Sequence, residues 1–83
     1  MTDQAVVTAF KPASGRVALR VEDGSFVLAE QTDASPIREG LILTGPMREF
    51  GPEVWVEPQS QTAYEVFVLG WDLSQEAIDL EMP

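Results

Sequence analysis

The sequence predicts a mainly β fold: a small antiparallel barrel of five or six strands with a short C-terminal helix. Three observations predict it. Residues 15–22 alternate, with Val17, Leu19 and Val21 on one face and Arg16, Ala18, Arg20 and Glu22 on the other, the period of a half-buried antiparallel strand. Asp23-Gly24 then separates that run from another β-rich run, the strongest short hairpin signal. From Asp72 onward the hydrophobic period changes to that of a helix.

The elements follow in order. Gln4–Phe10 is a first strand, rich in β-branched residues at Val6, Val7 and Thr8. Lys11–Gly15 (KPASG) turns the chain into the second strand, Gly15–Glu22. Phe26–Glu30 returns as the third. Gln31–Gly40 is a polar crossing loop, and Ser35-Pro36 could open a short helical turn within it. Leu41–Thr44 is a short fourth strand. Gly45–Pro52 is a loop with Gly-Pro at both ends, Glu53–Glu57 a fifth strand and Tyr64–Leu69 a sixth. Strands thus run to about residue 70, and residues 72–82 form the helix. Leu73, Ala77 and Leu80 make its apolar stripe, which would cap one open end of the barrel. Asp72 with Gln75 resembles a capping box, and Ser74 competes as N-cap. Closure would protect strand edges that an open sheet of this size leaves bare.

Eighty-three residues are expected to form a single domain, 1–83, with a thin core. Nothing in the N-terminal MTDQ region reads as a signal peptide, and no apolar run is long enough to cross a bilayer, so a cytoplasmic protein is expected. Cysteine and histidine are both absent. That removes disulfides, thiol nucleophiles, imidazole metal sites and the usual serine triads. No phosphate-binding glycine motif occurs. Glu53 and Glu57 form a carboxylate pair around Trp55, but acid–base catalysis needs a pocket that shifts one pKa, which a solvent-facing strand rarely supplies. No enzymatic activity, cofactor or metal is expected.

The net charge is −9, unevenly spread. Residues 1–21 hold one acid, Asp3, against Lys11, Arg16 and Arg20, while beyond Arg48 eight acids follow with no base. An acidic surface keeps small proteins soluble; it also suits docking on a basic partner protein. The Glu53–Glu57 strand is the candidate contact. With Val54 and Val56 inward, Glu53, Trp55 and Glu57 project together as an acid-flanked anchor; in the opposite phase Trp55 packs beneath the helix or the 45–52 loop. Phe67, Leu69 and Trp71 form a second cluster, to pair with the helix or to leave an apolar patch for a second subunit, so a homodimer is a further possibility.

Over roughly residues 5–45 the layout resembles the cold-shock type of OB barrel: VVTAF as first strand, GRVAL as second, the EDG turn, FVLA near the third, and REGL opening the fourth. Strand pattern alone leaves OB-like and SH3-like topologies both open. The resemblance implies binding of single-stranded nucleic acid, here through Lys11, Arg16, Arg20 and Phe26. That family stacks bases on outward aromatics, whereas this chain has Arg16, Val17, Ala18 and Leu19 at the matching positions. The overall negative charge also opposes a phosphate backbone. The expected function is therefore a non-catalytic acidic protein-interaction module. Two alternatives accompany it: a single-strand binder, and an acidic mimic of nucleic acid that blocks a basic groove.

Overall fold

The Asp23-Gly24 turn forms as its sequence dictates. Gly24 takes φ +89°, its N–H bonds to Val21 O at 2.9 Å, and Asp23 Oδ1 accepts from the Ser25 N–H at 2.9 Å. Gly15, at φ +78°, closes the preceding turn by donating to Lys11 O at 2.8 Å. In this computed structural model, which describes residues 3–82, these turns join β1 (Asp3–Lys11), β2 (Arg16–Val21) and β3 (Phe26–Gln31). The chain continues through β4 (Ile42–Gly45), β5 (Gly51–Glu57), β6 (Thr62–Leu73) and α1 (Gln75–Glu81). The strands close into an antiparallel barrel in the order β1-β2-β3-β6-β5-β4, compatible with an OB-like fold. No described helix is long and apolar enough to cross a membrane.

The main core fills the barrel. Val7, Val17, Leu19, Val27, Leu43, Val66 and Val68 point inward around Trp55, and Met47 enters from the β4–β5 loop. A bulge in β1 redirects its side chains. Val7 pairs with Leu19 but Ala9 pairs with Ala18, which leaves Thr8 as an extra residue. One inserted residue exchanges the two faces of a strand. Accordingly Ala5 and Val7 are buried inside, whereas beyond the bulge Phe10 packs on the inner core and Ala9 on the outer cluster.

That outer cluster corrects the expected role of the helix. Ala18, Phe26 and Leu28 lie on the outside of β2 and β3, covered by Ile78 and Met82. So α1 lies along the barrel wall and does not cap an end. Its buried stripe is Ile78–Met82, four residues apart, and Leu80 is 82% exposed. Ser74 is the N-cap: its Oγ accepts from the Ala77 N–H at 3.2 Å. β6 runs three residues past the expected end at about residue 70, through irregular pairing that sets Leu28 against Gly70 and Phe26 against Leu73.

The crossing loop contains no helical turn at Ser35-Pro36. The Asp33 carboxylate organises it instead, accepting from the Ser35 N–H at 3.2 Å, from Gln31 Nε2 at 2.6 Å, and from the Glu65 N–H of β6 at 2.9 Å. Those donors outbid a helical start. Burial opposes ionisation of Asp33, yet these hydrogen bonds outweigh it and hold the carboxyl below its ordinary pKa.

Candidate functional site

β5 determines which way the candidate anchor points. Its register sets Glu53 opposite Val66, Trp55 opposite Tyr64 and Glu57 opposite Thr62. Val66 and Tyr64 are core residues, so Trp55 must face inward with them, and it is 0% exposed. The reading of Trp55 as an outward anchor is thereby corrected. Gly45 makes room for the ring: a Cβ there would lie 2.6 Å from Trp55 Cδ1. The buried indole N–H donates to Pro46 O at 2.6 Å, so the polar end of the side chain is satisfied without water.

The two flanking acids have different surroundings. Glu57 Oε2 accepts from the Gln59 N–H at 2.8 Å and Oε1 from the Ser60 N–H at 2.8 Å. Those bonds, the one from Gln59 first, hold its pKa below the ordinary glutamate value. Glu57 therefore builds the β5–β6 turn, and its carboxylate is committed to backbone. Glu53 is half-buried near the start of β5.

With Trp55 inside, the outward residues of β5 are Pro52, Val54 and Val56. Val54 is 50% exposed and sits opposite Glu65; Pro52 sits opposite Phe67, which is 43% exposed. On its other side Phe67 pairs with Glu30 of β3. The outer face of β3–β6–β5 thus presents Phe67 and Val54 among Glu30 and Glu65. Among the described residues neither of those carboxylates has an ion-pair partner. Sequence reasoning singled out Phe67 but left its orientation open, and it placed Val54 in the core only in the phase that turns Trp55 outward. The alternation of EVWVE fits either phase, and only the Tyr64 register separates them.

The cluster of Phe67, Leu69 and Trp71 is divided by the structure. Phe67 is outside, Leu69 packs beside the cluster under α1, and Trp71 lies against the main core with its ring 4.5 Å from that of Phe50.

The basic residues do not assemble as the resemblance implies. Phe26 is buried under α1, where no base can stack on it. Arg16 Nη1 is 2.8 Å from Glu81 Oε2 and also donates to the Glu81 backbone carbonyl. Lys11 and Arg20 are exposed at opposite ends of the β1–β2 hairpin, Lys11 opposite Arg16 and Arg20 opposite Val6.

Arg48, which the sequence reading did not assign, joins three parts of the barrel. Its guanidinium lies 3.6 Å from Asp3, 3.1 Å from Asp23 and 2.5 Å from Asp72. These carboxylates, Asp72 first, raise its pKa further. The arrangement is a structural tie between the start of β1, the β2–β3 turn and the end of β6. Among the described residues no polar side chain is fully buried, and no group of three or more acids is placed to hold a metal ion.

Comparison of the chain with protein-family models, with curated proteins and with solved structures finds no match.

Proposed function

We propose that this barrel is a non-catalytic acidic module that binds a protein with a basic surface, and that the outer face of β3–β6–β5 is the contact. The observation that carries this reading is the exposure of Phe67 and Val54 between the carboxylates of Glu30 and Glu65, which have no ion-pair partner among the described residues. An aromatic and an aliphatic side chain left in water gain by burial against a partner. Carboxylates without an internal counter-ion favour a cationic one and disfavour a phosphate backbone. Covering of Phe26 by α1 and neutralisation of Arg16 by Glu81 further weaken the single-strand alternative.

The test uses the full chain as bait with two surface variants, Phe67→Ser and Glu65→Lys. Partners with basic surfaces should be retained by the wild type and lost by both variants. Identical recovery by all three removes this face as the contact. Titration with a single-stranded oligonucleotide at low salt supplies the opposing arm: tight, salt-sensitive binding that disappears in Arg20→Ala would overturn the protein-binding reading.

A further inference from the structure

We propose that the hollow between β5 and β6 seats an arginine side chain of the partner protein; this rests on the protein-binding reading and names the side chain recognised. The hollow measures about 340 Å³ and is lined by Thr32, Pro52, Glu53, Val54, Glu65 and Val66. That is near the lower end of the roughly 300–1,000 Å³ typical of small-molecule sites, a size suited to one side chain. Val54, 50% exposed, stands opposite Glu65, and Pro52 with Phe67 forms the next outward pair. An apolar wall and a carboxylate thus share one shallow site beside an exposed aromatic ring. Two hydrogen bonds fix the backbone that carries Glu65. Its N–H donates to Asp33 Oδ2 at 2.9 Å, and its carbonyl accepts from the Thr32 N–H at 2.8 Å. The wall is in place before a partner arrives, which lowers the ordering entropy lost on binding.

Charge decides the occupant, because the lining of the hollow itself is one-sided: two acids, Glu53 and Glu65, and no lysine or arginine. None of β3, β5 and β6 carries a base at any position. Among the described residues neither Glu53 nor Glu65 has an ion-pair partner. On β2, Arg16 stands opposite Glu30, but its guanidinium pairs with Glu81. Carboxylates without an internal counter-ion favour a cation from the partner. The neighbouring Phe67 ring selects its kind. A guanidinium is flat, stacks on an aromatic face and donates to carboxylate as a fork, whereas an ammonium is a strongly hydrated point charge. The apolar stem of the arginine then lies on Val54 and Pro52.

The probe is a capped leucine–arginine–leucine peptide, titrated into the full chain and followed by amide NMR shifts. Two counterparts replace the arginine with citrulline, which keeps the shape without the charge, or with lysine. The arginine peptide should perturb Thr32, Glu53, Val54, Glu65 and Val66. It should bind about tenfold more tightly than the citrulline peptide and about threefold more tightly than the lysine peptide. Glu65→Gln, at an exposed position without an ion pair, should keep the melting temperature. It should weaken the arginine peptide by about fivefold and leave the citrulline peptide unchanged. Equal binding of the arginine peptide and either counterpart, shifts confined to another face, or no binding at all overturns the arginine site. If the full-chain bait still recovers basic partners and Phe67→Ser loses them, the acidic-module reading stands after any of these results. If the bait recovers none, both readings fall. A wild-type dimer in sedimentation that Glu65→Gln converts to monomer would assign the hollow to a second copy and overturn the proposal.

Discussion

The indole N–H of Trp55 donates to the carbonyl oxygen of Pro46 at 2.6 Å, and this bond holds the β4–β5 loop over the barrel core. The ring occupies the space that Gly45 leaves open. Trp55→Phe keeps an aromatic ring but strands the Pro46 carbonyl and removes volume, so it should destabilise the fold by about 1–3 kcal/mol. Gly45→Ala forces a methyl against a buried ring that cannot swing away, and should cost about 1–3 kcal/mol. Urea denaturation followed by circular dichroism measures both. Wild-type midpoints for either variant would show that the indole is held less tightly than its geometry implies.

Arg48 neutralises a cluster of carboxylates that otherwise repel one another. Arg48→Met keeps much of the apolar stem but leaves Asp3, Asp23 and Asp72 facing each other. The melting temperature should fall, and the deficit should shrink in 1 M salt, where the screening length drops to about 3 Å. A loss that is independent of salt would mean that Arg48 acts through packing of its stem. Asp72 itself sits at φ +55°, a conformation that aspartate tolerates better than most residues. Asp72→Asn should therefore reproduce part of the salt-dependent loss without adding backbone strain.

The strand order of events was legible in the sequence because it rests on local signals. The Asp23-Gly24 turn, the alternation of Arg16–Val21 and the change of period after Asp72 each determine their own element. What was not legible depends on partners distant in sequence. Trp55 could face either way until Tyr64 lay opposite it. The bulge at Thr8 exchanges the faces of β1 without any glycine to announce it. The helix stripe was misread because Leu73, Ala77 and Leu80 fit helical spacing as well as Ile78 and Met82 do; the outer wall of β2–β3 selects the second set. Of the candidate site, β5 was found but its phase was left open; the structure exposes Val54 with Phe67 and buries Trp55.

Acid should unfold this protein through carboxylates that its turns depend on. Asp33, Glu57 and Asp23 all have pKa values below their ordinary ones: Asp33 because backbone and side-chain donors overcome its burial, Glu57 through the Gln59 N–H first, and Asp23 through Ser25 first. A depressed folded-state pKa contributes stability that is fully present above the unfolded-state value and is lost as pH falls through the folded one. Stability should thus decline from about pH 5 downward, against the relief of net negative charge that acid also brings. Asp33→Asn should lower stability at pH 7 and flatten that acid limb. An acid limb as steep as the wild type's would assign the effect to other groups.

Gln61 is the residue at which the β5–β6 turn stores backbone strain. It takes φ +62°, a left-handed conformation that costs a residue with a Cβ about 1–2 kcal/mol. Its N–H donates to Glu57 O at 2.9 Å, and the Glu57 carboxylate caps the two preceding turn residues, so the loop cannot relax by moving this residue alone. Gln61→Gly removes the Cβ and its penalty. It also gives up the bond from Gln61 Nε2 to Pro58 O, at 3.0 Å and exposed, and makes the unfolded chain more flexible. The balance should favour the variant by about 0.5 kcal/mol. Gln61→Val, whose branched side chain resists positive φ, should shift the urea midpoint the other way. If both substitutions destabilise alike, the amide of Gln61 and not its backbone angle is what the turn requires.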